Sequence, residues 1–327
     1  MKSTQLAAFL FALATEISFG WDLSLRSPCK INLFLRIMGR RPNGFHDLAS
    51  LFQSISLSDQ MHFSKLPASA TKDEMSCSDT TLPVDDSNLV IKALHLMRSK
   101  TGIDQYFQVR LDKKVPMQAG LGGGSGNAAT VMHAFNVLCK YPATIKELEQ
   151  WSGDIGSDIT FFFSSGTAYC TGRGELVTSL PPLPHSSNTV VHILKPKEGL
   201  STGLVFKTLD LDKCLSGAHP EEILSEFQTR GALTAASSGF LLNDLQPPAF
   251  KLQPLLGSLC DELRAVGGAG AMMSGSGTSV YLLADELNDH HIVRENIYNL
   301  LENKSEPPLH FECKFINRGL ELSDWYK

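Results

Sequence analysis

The sequence predicts an α+β fold made of two packed domains. Its 327 residues exceed the usual size of one domain, and 43% of them are hydrophobic, which is enough for a sizeable core. Segments that alternate like β-strands are mixed with segments of helical periodicity in both halves of the chain. A proline-rich connection at residues 181–184 indicates a boundary. We therefore predict an N-terminal domain over residues 24–187 and a C-terminal domain over residues 188–327.

Composition narrows the classes of function. The chain has 29 basic and 34 acidic residues, a net charge of −5, so nothing indicates a broad basic surface for nucleic acid or anionic lipid. We expect small-molecule partners, and an anionic one must be held by local cations. The seven cysteines contain no Cys-x-x-Cys pair, which argues against a disulfide framework or a zinc site. The oligomeric state stays open.

The first residues do not predict a strand or a core helix. The apolar stretch from Leu6 to Ala14 is far shorter than the roughly 20 residues that span a bilayer, so no membrane helix is expected. Lys2 followed by that stretch is similar to the charged and apolar regions of a signal peptide. We predict that residues 1–23 lie outside the fold, as a possible targeting extension, or as an irregular extension or an imperfect gene model.

Strand and helix signals precede the first glycine cluster. Residues 30–37 alternate, which predicts a half-buried strand, and residues 40–46, with Asn43-Gly44, predict the turn of a β-hairpin. Ser87 or Asn88 is a candidate cap for a helix that begins near residue 89. Further patterns predict strands at residues 106–111, 190–194, 280–283 and 311–316, and helices after the glycine cluster and at residues 254–266.

Residues 120–127 form a glycine loop that leads into a helix. Such a loop lets phosphate oxygens approach the unpaired N–H groups and the partial positive charge of the helix N-terminus. The spacing matches neither the Gly-x-x-x-x-Gly-Lys-Ser/Thr loop nor the dinucleotide fingerprint. From glycine content alone, a tight loop packed against another backbone stays an open alternative.

Three motifs together resemble the GHMP kinase family. Pro116-x-x-Ala119-Gly-Leu-Gly-Gly-Gly124 is similar to the phosphate-binding motif of that family, and Ser27-Pro-Cys-Lys-Ile-Asn32 is similar to its Pro-x-Lys-Ile-Asn strand. Ser274-Gly-Ser-Gly-Thr-Ser279 is similar to its third glycine motif, and the order of the three agrees. The resemblance implies an N-terminal domain like domain 2 of ribosomal protein S5, a ferredoxin-like C-terminal domain, and an active site between them.

Other stretches resemble one branch of that family. They are residues 39–46, Gly156-Ser-Asp158 before a phenylalanine run, and Gly172-Arg-Gly-Glu175. The resemblance implies ATP-dependent phosphorylation of the 2-hydroxyl of 4-diphosphocytidyl-2-C-methyl-D-erythritol, in the non-mevalonate route to isoprenoids. Residues 45–50 and 168–172 are similar to the plant-type members, which implies a plastid location, with the cytoplasm as the alternative.

The resemblance also implies roles for individual residues. Asp158 would accept the hydroxyl proton. Lys30 would orient the Asp158 carboxylate and counter the charge that develops in the transition state. The residues implied in ATP binding are Asn88, Lys113, Pro116, Ala119, Gly120, Leu121, Gly122, Gly123, Gly124, Ser125, Gly126 and Asn127. The residues implied in substrate binding are Asn32, Phe45, His46, Thr202 and Phe206, with His46 bonded to cytosine between the two aromatic rings. The third glycine motif contributes Ser274, Gly275, Ser276 and Gly277. Mg²⁺ is expected with ATP, and no residue is assigned to it.

Each assignment has an alternative. Asp158 or Asn88 would cap a helix, Lys30 or Lys113 would be solvated, and the aromatic residues would be core. Two departures from the family pattern are Gly126, where a second serine is usual, and Thr160, where a proline is often found, which we expect to loosen the backbone near Asp158. These departures favour a non-catalytic ligand sensor as one alternative function. Another small-molecule GHMP kinase, such as homoserine or mevalonate kinase, is the second.

Overall fold

The computed structural model describes residues 20–319, which form two β-sheets with helices packed against them. The strands are β1 Leu23–Arg40, β2 His46–Lys65, β3 Glu74–Cys77, β4 Phe107–Asp112, β5 Thr167–Gly172, β6 Leu176–Leu180, β7 Thr189–Lys195, β8 Gly270–Met273, β9 Val280–Asp285 and β10 Leu309–Lys314. The helices are α1 Leu89–Thr101, α2 Gly123–Leu138, α3 Ile145–Ser152, α4 Thr202–Thr208, α5 Leu211–Leu215, α6 Pro220–Ser237, α7 Gln246–Leu252, α8 Pro254–Ala265 and α9 His290–Glu302. The α+β class predicted from the sequence is confirmed.

The two sheets use separate parts of the chain. The first has six strands in the order β3-β4-β2-β5-β6, with β1 also paired to β2, and the second has four in the order β10-β7-β9-β8. Every pair is antiparallel except β3–β4, which α1 connects. The predicted boundary between residues 187 and 188 falls between the two sheets and stays a prediction. Most of the extension predicted for residues 1–23 lies outside the described residues.

Strand β1 is longer and more deeply buried than its alternation predicts. It has 18 residues, and from Ser27 to Ile37 every side chain is buried. Ile31 and Phe34 belong to the same hydrophobic cluster as Val191 and Tyr281 from the second sheet. An irregularity in the pairing between Asn32 and Phe34 also breaks the alternation. The half-buried strand was therefore the wrong expectation, because both layers of the molecule pack on β1.

The hairpin and the first helix agree with the sequence predictions. Strands β1 and β2 are antiparallel with Arg40 opposite His46, and Gly44 takes a φ of 87° in the turn between them. Helix α1 is capped by Asn88, whose Oδ1 accepts a hydrogen bond of 2.9 Å from the Val90 N–H. None of the helices within residues 20–319 is long and apolar enough to span a bilayer.

A buried histidine on α2 makes stability depend on pH. His133 is 5% exposed, and burial together with the Arg318 charge lowers its pKa to about 4. In the unfolded chain an imidazole titrates near 6.5, so the unfolded state binds more protons between those values. The contribution of His133 is complete above about pH 6.5 and is lost as the pH falls to about 4. We expect it to remove up to roughly 3 kcal/mol from the free energy of unfolding.

Urea unfolding of the wild-type chain and of His133→Gln at about pH 7, 5.5 and 4.5 measures this effect. Because glutamine does not titrate, the free energy of unfolding of His133→Gln should fall less steeply with acid. Equal slopes for the two chains would show that His133 does not cause the acid sensitivity.

Candidate active site

A cleft of about 1130 Å³ opens between the two halves of the fold. Residues from β1, the glycine loop, the segment before the phenylalanine run and α4 all line it. The sequence-predicted residues among its walls are Lys30, Asn32, Phe45, His46, Gly120, Gly122, Asp158, Thr202, Phe206, Gly275, Ser276 and Gly277. The structure thus brings the implied catalytic pair, part of the glycine loop, the third glycine motif and the implied base pocket to one place.

Lys30 and Asp158 form an ion pair in this cleft. Lys30 Nζ lies 3.5 Å from Asp158 Oδ2, although 128 positions of sequence separate the two residues. The Lys30 side chain is 4% exposed and that of Asp158 is 34% exposed. The ammonium is therefore fixed within the protein, while the carboxylate faces the open space of the cleft. A group bound in the cleft can reach Asp158 directly.

The Lys30 ammonium is held by Asn32 and Phe52 in addition to Asp158. It donates a hydrogen bond of 2.8 Å to Asn32 Oδ1, and it lies 4.4 Å from the centroid of the Phe52 ring. Asn32 Nδ2 in turn donates to Ser50 Oγ at 2.8 Å. These contacts offset the cost of burying a charged amine. The solvated Lys30 considered from sequence is not what the structure shows.

The glycine loop lies directly on β1. The Lys30 backbone N–H donates to the Leu121 carbonyl at 2.8 Å, and a Cβ on Gly122 would lie 3.1 Å from Lys30 Cε. Helix α2 begins at Gly123, and no side chain caps its first N–H groups. Unpaired N–H groups at a helix start attract phosphate. The Lys30 side chain therefore lies against Gly122, the cleft-lining residue that immediately precedes this helix start.

The glycine loop also packs against the third glycine motif. Gly120 has a φ of 74°, and a Cβ there would lie 1.9 Å from the Ser274 carbonyl oxygen. Ser274 Oγ donates to the Gly120 carbonyl at 3.0 Å, and Ser279 N–H donates to the Ala119 carbonyl at 3.2 Å. Backbone packing, which the sequence left as an alternative to phosphate binding, thus occurs together with an open helix start.

The two departures from the family pattern both have structural reasons. A Cβ on Gly126 would lie 2.4 Å from the Pro28 carbonyl oxygen, so α2 approaches β1 too closely for a side chain. Thr160 Oγ1 forms a hydrogen bond of 2.9 Å with Ser152 Oγ, and both residues are buried. Thr160 therefore ties the short helix Thr160–Phe163 to α3. The expectation that Thr160 loosens the backbone near Asp158 stays a prediction, and this hydrogen bond acts against such loosening.

Several residues implied in ATP binding do not line the cleft. Asn88 caps α1 and its Nδ2 donates to the Pro83 carbonyl at 2.6 Å. Lys113 forms an ion pair with the buried Asp59, to which Asn127 also donates a hydrogen bond. Lys113 and Pro116 line a separate cavity of about 410 Å³. The loop and the first turn of α2 contain the remaining residues that are not among those lining the cleft: Ala119, Leu121, Gly123, Gly124, Ser125 and Gly126. Their contact with ATP stays a prediction.

An aromatic group lies at the other end of the cleft. The rings of His46 and Phe206 stack with centroids 5.1 Å apart, and Phe45 is 56% exposed with the Arg173 guanidinium 5.5 Å from its ring centroid. The stack leaves no room for a base between His46 and Phe206, but Phe206 and Phe45 both line the cleft. Burial, with a smaller effect of Arg40, lowers the pKa of the His46 imidazole. The neutral ring has one nitrogen that donates and one that accepts.

Three cations that line the cleft received no role from the sequence. Arg40, Arg173 and Lys207 join Lys30 in its wall, where Asp158 is the one acidic residue among the described lining residues. The cleft is therefore positive although the whole chain carries −5. Arg40 lies in the stretch 39–46 and Arg173 in the stretch 172–175, both of which resemble the family. Lys207 on α4 lies in none of the motifs. Thr202 Oγ1 bonds to Ser276 Oγ at 2.8 Å and so connects α4 to the third glycine motif.

Comparisons with known proteins show the family to which the chain belongs. The model of the GHMP kinases N terminal domain matches residues 88–166, and the GHMP kinases C terminal model matches residues 221–303. A crystal structure of 4-(cytidine 5'-diphospho)-2C-methyl-D-erythritol kinase superimposes with a TM-score of 0.71 and 26% identity, over 91% of this chain and 100% of that one.

Plant relatives are more similar in sequence. The chloroplastic 4-diphosphocytidyl-2-C-methyl-D-erythritol kinase of Oryza sativa subsp. japonica is 50% identical over 79% of this chain, which spans 63% of that relative's length. The chloroplastic kinase of the same name from Arabidopsis thaliana is 45% identical over 93% of this chain and 76% of its own. The chain therefore belongs to the family of 4-diphosphocytidyl-2-C-methyl-D-erythritol kinases, a branch of the GHMP kinases.

Proposed function

We propose that the chain transfers the γ-phosphoryl group of ATP to the 2-hydroxyl of 4-diphosphocytidyl-2-C-methyl-D-erythritol. The observation that carries the proposal is the Lys30–Asp158 pair, 3.5 Å apart, beside the start of α2 in a positive cleft. Phosphoryl transfer needs little covalent chemistry from the protein, so positioning and charge stabilisation supply most of the catalysis. The relatives from Oryza sativa and Arabidopsis thaliana are named as kinases of this substrate.

Each group in the cleft has a role in this reaction. The exposed face of Asp158 accepts the proton of the attacking hydroxyl, and the buried Lys30 fixes the carboxylate and balances charge on the transferred group. The N–H groups at the start of α2 bind phosphate oxygens of ATP. Mg²⁺, when bound to ATP, neutralises charge on the β- and γ-phosphates, and the oxygen atoms it prefers come from phosphate, water and carboxylate.

The aromatic end of the cleft selects the cytidine part of the substrate. A cytosine ring stacks on Phe206 and on Phe45, and the neutral His46 ring hydrogen-bonds to the edge of the base. Arg173 and Lys207 balance the diphosphate charge. Homoserine and mevalonate, the acceptors of the alternative kinases, carry no nucleobase. This group of residues therefore favours the cytidylylated substrate. Since the plant relatives are named chloroplastic, we propose a plastid location.

Asp158→Asn tests the catalytic role. Without a proton acceptor, kcat should fall by about a hundredfold to ten-thousandfold, while binding of ATP and of the substrate changes little. The measurement is an ATP-dependent kinase assay with the cytidylylated substrate, together with calorimetric binding. Asp154→Asn is the matched control, because Asp154 is an exposed acid that pairs with Lys100. Full turnover by Asp158→Asn would refute the proposed chemistry.

His46→Gln and Phe206→Ala test substrate selection. Each should lower kcat/KM for the cytidylylated substrate by about tenfold to a hundredfold, because a stacking contact or a hydrogen bond in the pocket is lost. The ATPase background and the affinity for ATP should not change. His95→Gln is the control, since His95 is half exposed on α1. Wild-type turnover of mevalonate or homoserine at a comparable kcat/KM would instead favour another GHMP kinase.

A further inference from the structure

A cluster of imidazoles and a carboxylate lies on the second sheet, outside the cleft. His192 on β7 is the register partner of Glu312 on β10, so their side chains lie on the same face of the sheet. His310 is two residues earlier on β10 and shares that face. Helix α9 begins on the same face with His290 as its first residue. None of these residues lines the cleft.

Two nitrogens in this cluster lack a hydrogen-bond partner among the described residues. His192 is fully buried, yet its Nε2 bonds to nothing. His290 Nε2 lies 3.3 Å from Glu312 Oε1, and that contact does not have the geometry of a hydrogen bond. One ring nitrogen each of His192 and His290 and one Glu312 carboxylate oxygen all lie within 4.8 Å of one another. Buried polar atoms without a hydrogen bond are uncommon, and a bound water or ion is one explanation for them.

His310 orients the buried ring. His192 Nδ1 lies 3.2 Å from His310 Nε2, and the His192 ring is stacked between those of His290 and His310 at centroid distances of 5.3 and 5.4 Å. With its proton on Nδ1, His192 donates to His310 and keeps the lone pair of Nε2 free for a ligand. Metal-binding histidines have this arrangement, in which the second ring nitrogen is held by a neighbour.

We propose that His192 Nε2, His290 Nε2 and a Glu312 carboxylate oxygen bind one divalent transition-metal ion of the zinc class. A tetrahedral zinc with ligands at about 2.0–2.1 Å has edges of about 3.3 Å, and the His290–Glu312 separation already equals such an edge. The other two separations, at most 4.8 Å, close by small movements of His290 and of the partly exposed Glu312. Water takes the fourth position.

The donor set selects the ion and its effect. Imidazole nitrogens suit zinc and its neighbours, whereas Mg²⁺ and Ca²⁺ prefer oxygen ligands. The ion would join the first turn of α9 to β7 and to β10, the edge strand of the second sheet. An ion that binds only the folded chain stabilises it in proportion to its concentration. We therefore assign the site a structural effect that is independent of the kinase proposal.

Zinc binding to the full chain tests the site. Metal is first removed from the wild-type chain with a chelator, and the chelator is then removed. In equilibrium dialysis against zinc, the chain should bind and retain one equivalent. Its unfolding temperature should rise with zinc concentration. Cobalt(II) should give the visible absorption bands of a tetrahedral site. His290→Ala and Glu312→Gln, both at partly exposed positions, should lose these three responses. His291→Ala, a change to the exposed neighbouring histidine, should keep them.

His310→Phe separates the orienting role from the ligand role. It should keep the stoichiometry but weaken zinc binding by about tenfold to a hundredfold, because the His192 ring loses its partner. Absence of retained zinc in the wild-type chain would overturn the proposal. Zinc retention unchanged in both His290→Ala and Glu312→Gln would also overturn it, since the metal would then be held elsewhere, for example by cysteines.

Discussion

The hydrogen bond between the Lys30 N–H and the Leu121 carbonyl is the contact on which the site depends. It fixes the glycine loop to the middle of β1, the strand on which both layers of the molecule pack. The Lys30 side chain passes next to Gly122 and forms the ion pair with Asp158. One residue thus holds the glycine loop with its amide and Asp158 with its amine.

The burial of β1 explains why this arrangement is rigid. Its polar residues Lys30 and Asn32 bond to each other and to Ser50, while its apolar residues pack with Val191 and Tyr281 from the second sheet. Tyr281 OH also donates to the Asn32 carbonyl at 2.8 Å. The loop is held on its other side by Ser274, where only glycine fits at position 120. Parts of both sheets must therefore be folded before the cleft exists.

Local patterns predicted much of this structure. The hairpin after Arg40, the cap at Asn88 and the start of α2 in the glycine run follow from turn and capping preferences that neighbouring residues determine. The burial of both faces of β1 does not follow from local preferences, because it depends on the second sheet, which begins nearly 160 residues later in the chain. The Asp59 partnership of Lys113 and Asn127 is likewise a tertiary contact. A zinc site was discounted from cysteine spacing alone, whereas His192, His290 and Glu312 meet only in the folded sheet.

Transfer of the γ-phosphoryl group to the 2-hydroxyl requires that Asp158 and the start of α2 meet at that hydroxyl. A crystal structure with a non-hydrolysable ATP analogue and 4-diphosphocytidyl-2-C-methyl-D-erythritol would show this arrangement. We expect the 2-hydroxyl oxygen within about 3 Å of an Asp158 carboxylate oxygen and in line with the γ-phosphorus, with the phosphates on the N–H groups of α2. A complex in which this hydroxyl lies away from Asp158, or the phosphates away from α2, would contradict it.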